Sequence, residues 1–364
     1  MLVPYVLPDE LVRIEPLDAR KGVARARLRS VIEPSIHRAP APCPVYTHCG
    51  GCHYQHANYA NQLELKTAAL REVLTRIGKI EPPAEIAAIG GPEWEYRNRI
   101  QLHFREGEMG FHAANSHNII PIERCPISSP ALNAAIGHLN KLSRERRWPN
   151  FLRSLELFTN ETQFQVNVLD SGDRHLARAF FDWLNNFLPG ATNPSLEYNG
   201  FRVSHKSFFQ VNRFLLDKLV EATLPTAPVE TAWDLYAGVG LFSRALANVK
   251  VTAVEASASA IADLQQNAPR ATAVKASVEL WLEEQTATPG YVLADPPRAG
   301  LGKQAVKQLT RLQPPQLTIV SCDPSTLARD LSALLAAGYR IESMSLIDLF
   351  PQTSHIETIT RLRL

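Results

Sequence analysis

From Thr231 onward, short apolar runs alternate with stretches whose apolar residues recur every three or four positions. That alternation predicts a doubly wound α/β sheet, because strands buried on both faces read as continuous apolar runs and crossover helices as amphipathic ones. AWDLYAGVGLFSRAL opens it with a strand, a turn at Gly238 and Gly240, and a helix beginning near Leu241. KVTAVEAS supplies a second strand ending at Glu255, ATAVKAS a third, YVLADPPRAG a fourth ending in Asp295-Pro296-Pro297-Arg298, and QLTIVSCD a fifth ending at Cys322. Asp323 then has the chemistry of a helix N-cap and Pro324 that of a first helical residue. RIESMSLIDLF and HIETITRLRL predict a closing hairpin with Pro351 in its connection and Glu357 near the start of the last strand.

Upstream the period changes. Residues 1–40 hold two β-like runs parted by a turn-like Asp18, and in the second run Arg25, Arg27 and Arg29 alternate with Ala24, Ala26 and Leu28. In a strand this puts three guanidinium groups on one face, which suits phosphates as well as plain solvent. Between 56 and 78, Leu63, Leu70, Val73, Leu74 and Ile77 fall on one helical face, with Lys66, Arg71 and Arg76 on the exposed side and Gly78 as the stop. Strands around turns at Gly107 and Gly110 are expected over 95–122, with Arg97, Arg99 and Arg105 on alternating faces. A helix over 128–145 and strands over 154–168 make this middle region α+β. The segment 182–212 joins it to the last domain through LPGATNPS and FRVSHKSFFQVN, whose two phenylalanines serve as core or as pocket walls. The expected division is a partial β-barrel over 1–42, a central α+β domain over 43–199, and the doubly wound domain over 200–364.

Composition adds limits. At 364 residues, 45% hydrophobic and 20% charged, the chain has the make-up of a soluble protein of two or three domains. It has no apolar run of about 18 residues and no signal-like opening, so neither membrane nor export is expected and the cytoplasm is the default. A formal charge of +2 is too mild to announce nucleic acid, so any RNA contact must come from local basic faces. A monomer is expected.

The five cysteines divide four plus one. Cys43, Cys49 and Cys52 cluster in APAPCPVYTHCGGCHYQ, and Cys125, in PIERCPISS, can complete a four-thiolate site if the chain folds back. Zinc and iron–sulfur are both chemically open, and the C-x5-C-x2-C spacing, unlike the paired C-x2-C knuckles of structural zinc, leans toward a cluster. His48, His53 and His56 are nearby alternative ligands, although four thiolates suffice. Cys322 stands alone at a seam of strand and helix, where the partial positive charge of a helix N-terminus favours a thiolate.

Gly238, Glu255, Asp295 and Cys322 all fall at strand carboxyl ends, the rim on which open α/β sheets bind their ligands. An antiparallel last strand would bring Glu357 to the same rim. Glu255 follows Gly238 by seventeen residues, near the spacing at which a carboxylate meets ribose hydroxyls. The glycine turn lacks the third glycine of a pyrophosphate cradle, so an adenosine-type cofactor such as S-adenosylmethionine fits better than NAD.

On CPVYTHCGGCHYQ with Cys125, SFFQVN, DLYAGVGLF, VEAS, ADPPRAGL, SCDPSTLARDL and FPQTSHIETI, the chain resembles the S-adenosylmethionine-dependent RNA uracil-5-methyltransferases. The likeness is greatest to the iron–sulfur members that modify bacterial large-subunit ribosomal RNA, and it spans nearly the whole chain. It implies a Rossmann-like class I methyltransferase domain, with a [4Fe–4S] cluster on Cys43, Cys49, Cys52 and Cys125. It implies cofactor contacts from Gln210, Tyr236, Glu255 and Asp295 beside the loop glycines Gly238 and Gly240, Cys322 as nucleophile and Glu357 as base. RNA is the implied partner, with a 23S rRNA uridine as target and a tRNA uridine as the alternative. Two features depart from the family. Only 42 residues precede Cys43 where members often carry a fuller OB-like RNA-binding barrel, and Leu241 stands where many place an asparagine.

The implied reaction wants these groups. Carbon 5 of uracil is a poor nucleophile, and a thiolate adding at carbon 6 activates it, after which a carboxylate must remove the carbon 5 proton. A uridine in a stacked region must also be extruded to reach the rim. An amino-group methyltransferase would share Asp295-Pro296-Pro297 but place an aromatic where Arg298 stands, and a radical enzyme would carry C-x3-C-x2-C.

Overall fold

The computed structural model describes residues 1–20 and 22–364. Strands β1 (Leu11–Arg20) and β2 (Val23–Glu33) form an antiparallel ribbon. Its turn falls at Gly22, with φ at +78°, and not at Asp18, which lies within β1 opposite Arg25. Arg25, Arg27 and Arg29 do share an exposed face, but Glu15 lies opposite Arg27 and pairs with Arg29 at 2.5 Å. The face is therefore a ladder of mixed charge, not an open cationic stripe.

Helix α1 (Tyr59–Val73) starts on the Asn58 side chain, which accepts from the Asn61 N–H, and runs into a π-turn over Leu74–Gly78 closed by Lys79 in the left-handed region. The wider turn carries Ile77 out to solvent, 45% exposed, against the apolar face expected for it. Lys66, expected on the solvated side, is buried. After β3 (Ala87–Ile89) come β4 (Arg99–Arg105), β5 (Glu108–His112), β6 (Ile119–Pro121), α2 (Pro130–Leu142), β7 (Ser154–Thr159), β8 (Phe164–Asp170) and α3 (Arg178–Leu184). Strands β4 to β8 make an antiparallel sheet in the order β6-β5-β4-β7-β8, covered by Leu132, Ile136 and Leu139 of α2 and Trp183 of α3. Gly107 lies in the β4–β5 turn, whereas Gly110 lies inside β5, where any side chain would strike the Ile120 backbone. Arg99 is buried, bonded to Glu156 and stacked 4.3 Å over the Phe158 ring.

A hairpin of β9 (Ser195–Tyr198) and β10 (Phe201–Ser204) precedes α4 (Leu216–Thr223), β11 (Thr231–Leu235), α5 (Leu241–Ala245), β12 (Lys250–Glu255), α6 (Ala258–Asn267) and β13 (Thr272–Lys275). Then follow α7 (Val278–Glu284), β14 (Tyr291–Ala294), α8 (Gly302–Leu312), β15 (Gln316–Ser321), α9 (Pro324–Ala336), β16 (Arg340–Ile347) and β17 (Glu357–Arg363). These strands and β3 form one sheet in the order β13-β12-β11-β14-β15-β17-β16-β3. β11 to β15 are parallel, and β17 inserts antiparallel between β15 and β16. One face is covered by Leu282, Leu309 and Leu331, the other by Leu219, Phe242 and Leu264, each contributing about 1.5–3 kcal/mol through burial. Leu70 of α1 and Leu74 of the π-turn pack into the first of these layers, and β3 pairs with β16, so residues 59–89 fold onto the C-terminal sheet. Among the described residues, no helix is long and apolar enough to cross a membrane.

Candidate active site

Strands β11, β12, β14 and β15 end on one edge of the sheet, and the antiparallel β17 begins there. Ser321 pairs with Thr358, so Cys322 and Glu357, one residue beyond each, stand side by side on that rim. Helix α9 begins with Pro324 and is capped by Asp323, whose Oδ1 accepts from the N–H groups of Ser325 and Thr326 at 2.8 and 3.0 Å. The capping carboxylate thus takes two of the free N–H groups at the start of the helix. Burial first and the Glu357 carboxyl second push Cys322 up to about 11, while Arg298 pulls it down. Burial and the neighbouring carboxyl thus oppose the thiolate that a helix N-terminus would favour, and Arg298 supports it. Glu357, only 6% exposed, is raised well above the ordinary carboxylate range by burial and by Asp295, again with Arg298 opposing.

The glycine loop leaves β11 through Tyr236, Gly238 and Gly240 with φ of +62°, +54° and +91°. A side chain on Gly240 would crowd Leu264, whereas the space beside Gly238 is open, as a loop that admits a ligand to its backbone requires. Glu255 accepts from the Gly238 N–H at 2.8 Å and from the Ser257 N–H at 2.7 Å, so it braces the loop from the end of β12. The Tyr236 hydroxyl donates to Glu279 Oε1 at 3.1 Å. Gln210 is buried, and its carbonyl accepts from Asn98 Nδ2 at 3.2 Å. Leu241 is buried in an apolar layer, which accounts for a hydrocarbon at that place.

Two rim residues escaped the sequence reading. Asp234, fully buried in β11, accepts a 2.5 Å hydrogen bond from Ser243 Oγ, and burial raises it to about 7. Its signal was an aspartate inside the apolar run AWDLYAG. Asp295, enclosed by protein but open to the rim on one side, is pushed to about 7 by desolvation and by Asp234. Arg298 is the other. It acts on Cys322, Glu357 and His355 alike, and a lone arginine after two prolines carried no sign of that.

Cys43, Cys49, Cys52 and Cys125 line a single cavity of about 410 Å³, together with Tyr46, Gln55 and Arg97. Burial pushes the first three thiols up, Cys52 to about 12, and Cys125 acts on each of them. Among the described residues, no three His, Cys, Asp or Glu side chains gather around the position of a single metal ion. Each neighbouring histidine has its Nδ1 engaged: His56 with the Tyr46 hydroxyl, His48 with the Tyr46 carbonyl and His53 with the Ser354 N–H.

Comparison with known proteins bears on the fold and the reaction class. A family model described as tRNA (Uracil-5-)-methyltransferase matches residues 288–363, which carry Asp295, Cys322 and Glu357. The chain is 32% identical to a 23S rRNA (uracil(1939)-C(5))-methyltransferase of Pseudomonas putida, over 98% of this chain and 87% of that protein. It is 31% identical to an RNA methyltransferase of Listeria monocytogenes, over 100% of this chain and 92% of the other. The crystal structure of Pyrococcus abyssi tRNA (uracil-54, C5)-methyltransferase with S-adenosyl-L-homocysteine superimposes with a TM-score of 0.77 at 26% identity, covering 100% of this chain and 95% of that one.

Proposed function

The chain belongs to the S-adenosylmethionine-dependent RNA uracil-5-methyltransferase family, and from that premise we propose that Cys322 activates the target uracil and Glu357 releases the product. The enzyme methylates carbon 5 of a uridine in RNA. The observation that carries the assignment is the antiparallel pairing of β15 with β17, which sets the thiol beside the carboxyl.

Cys322 reacts as the thiolate, its proton passing to solvent; the sulfur bonds to carbon 6, and the double-bond electrons move through carbon 5 onto the carbonyl oxygen as an enolate. S-adenosylmethionine, when bound, supplies an electrophilic methyl group, whose capture by carbon 5 leaves the base still bonded to Cys322. Glu357 then takes the carbon 5 proton, the C–H pair reforms the double bond, and the carbon–sulfur bond breaks to return its pair to sulfur. Arg298 favours the anionic form of both groups, which burial alone would hold neutral. Gln210, Tyr236, Gly238, Gly240, Glu255 and Asp295 form the proposed cofactor cradle, with Glu255, which also braces the glycine loop, as the proposed ribose contact.

Cys43, Cys49, Cys52 and Cys125 are the proposed ligands of a [4Fe–4S] cluster. Four half-buried thiols lining one cavity are a donor set of the kind such a cluster takes. The cluster's role is structural, tying the 43–52 loop to Cys125. The proposed target is a uridine of large-subunit ribosomal RNA, because identity is 32% to the rRNA-modifying relative and 26% to the tRNA-modifying structure. The ribbon of β1 and β2 is read as a remnant of an RNA-binding barrel, and the enzyme as a cytoplasmic monomer.

RNA carrying 5-fluorouridine tests the chemistry, since fluorine cannot leave as a proton and the methylated base should stay bonded to the enzyme. A covalent complex that depends on Cys322 is expected, and its absence would refute the assignment. Mapping 5-methyluridine in cells with and without the gene tests the target: loss from tRNA alone would overturn the ribosomal reading.

A further inference from the structure

Residues 348–356 deliver Glu357 to the rim, and donors from elsewhere in the chain hold four successive carbonyls of this connection. Asn212 Nδ2 donates to the carbonyl of Leu349 at 3.1 Å, Lys66 Nζ to that of Phe350 at 3.0 Å, the Tyr96 hydroxyl to that of Pro351 at 3.0 Å, and the Tyr54 N–H to that of Gln352 at 2.9 Å. Lys66 also binds Asp348 Oδ1 at 2.6 Å. Gln352 itself is fully buried with φ at +68°, a conformation that a residue with a side chain holds at a cost. Gln62 answers it twice: the Gln352 N–H donates to Gln62 Oε1 at 2.9 Å, and Gln62 Nε2 donates to Gln352 Oε1 at 3.0 Å. Closing a hairpin requires none of this. Strain of this kind persists only where the surroundings over-determine it, and here the over-determined segment ends on a buried carboxyl.

We propose that Gln62 is a positioning residue for the base. The polar layer it shares with Lys66 and Tyr96 fixes Glu357 and so sets the rate at which methylated uracil leaves Cys322, a role that rests on the assignment of Glu357 as that base. The bonds of this layer reach residues 348–352 and none of them reaches β15, the strand that carries the nucleophile to the rim. Release is therefore the step that loosening the layer slows, while addition and methyl capture continue. Because the N–H groups of His53 and Tyr54 both donate to Gln352, the same layer ties the cysteine loop to the catalytic rim.

Gln62→Met keeps the length of the side chain and loses both bonds to Gln352. Wild type, Glu357→Gln and Gln62→Met are reacted side by side with RNA and cofactor labelled on the methyl group. Label migrating with protein on a denaturing gel is then divided by label on free RNA. In Gln62→Met that ratio should rise on the order of tenfold over wild type, the scale of effect expected when a catalytic group is displaced by a fraction of an ångström. A slower Gln62→Met enzyme with an unchanged ratio has lost folded protein and not the release step, and overturns the proposal. If Gln62→Met does not fold, Tyr96→Phe, which deletes one hydroxyl from a fully buried ring, is read in the same way with a severalfold rise expected. Trapping in Glu357→Gln without it in these variants removes the positioning role alone. No trapping in Glu357→Gln removes the base assignment and the positioning role with it.

Discussion

Thiols occur in two settings in this chain, and the settings differ in company more than in burial. At the rim, burial and Glu357 push Cys322 to about 11 while Arg298 pulls it back. Around the cavity, the groups acting on Cys43, Cys49 and Cys52 are burial, hydrogen-bond donors and the other thiols. A thiol between a cation and a proton acceptor can pass among neutral, bonded and anionic states, as a covalent catalyst must. Thiols that face one another become anionic together only around a bound cationic centre. The first setting suits turnover and the second suits a fixed site.

Removing one thiol from each setting tests that contrast at its widest. Cys322→Ala should abolish methyl transfer and the covalent RNA complex together. Cys125→Ser should lower soluble yield and the iron content of anaerobically purified protein from about four per chain, while protein that folds still forms the complex. Retained methylation in Cys322→Ala, or stoichiometric zinc without iron in the native protein, would break the contrast.

Between the two settings lies the buried pair of Lys66 and Asp348. Lys66→Met leaves Asp348 buried and unpaired and should cost about 3–5 kcal/mol by denaturant unfolding. A loss under about 1 kcal/mol, the scale of an exposed pair, would mean that the pair is not buried in solution.

These residues also mark where the sequence stops being legible. The rim could be read because each of its groups follows an apolar strand and precedes a turn or helix signal, and local punctuation is what a sequence records. Lys66 could not, because a charged residue on a helix looks solvated and its partner lies 282 positions away. The left-handed Gln352 carries no glycine to announce it, and its partners Gln62 and Glu93 are distant in sequence. Ile77 fits the helical period, and only the π-turn turns it outward. Asp18 has turn chemistry but is drawn into β1 opposite Arg25.

A smaller effect sharpens the rim's half of the contrast. With its pKa raised to about 11, Cys322 in free enzyme should be alkylated by iodoacetamide about tenfold faster per pH unit between about 7 and 9, because the thiolate fraction grows with pH below the pKa. Arg298→Ala should slow that alkylation severalfold, as read from peptide masses. A flat pH profile would indicate a thiolate already formed.

The smallest effect concerns the ribbon. Replacing Arg25, Arg27 and Arg29 with Ala should lower the salt slope of RNA binding by ~1.8, and not by the ~2.7 that three free phosphate contacts would give, because Glu15 already pairs with Arg29. An unchanged slope would leave the ribbon out of RNA binding.

The central claim is that Cys322 bonds the uracil and Glu357 lets it go. Its most direct test is Glu357→Gln reacted with RNA and methyl-labelled cofactor, digested, and analysed by peptide mass. The account predicts a methylated uridine bonded to the peptide that carries Cys322, formed at near wild-type rate and released slowly. Free turnover by Glu357→Gln, or label on any other cysteine, would contradict it.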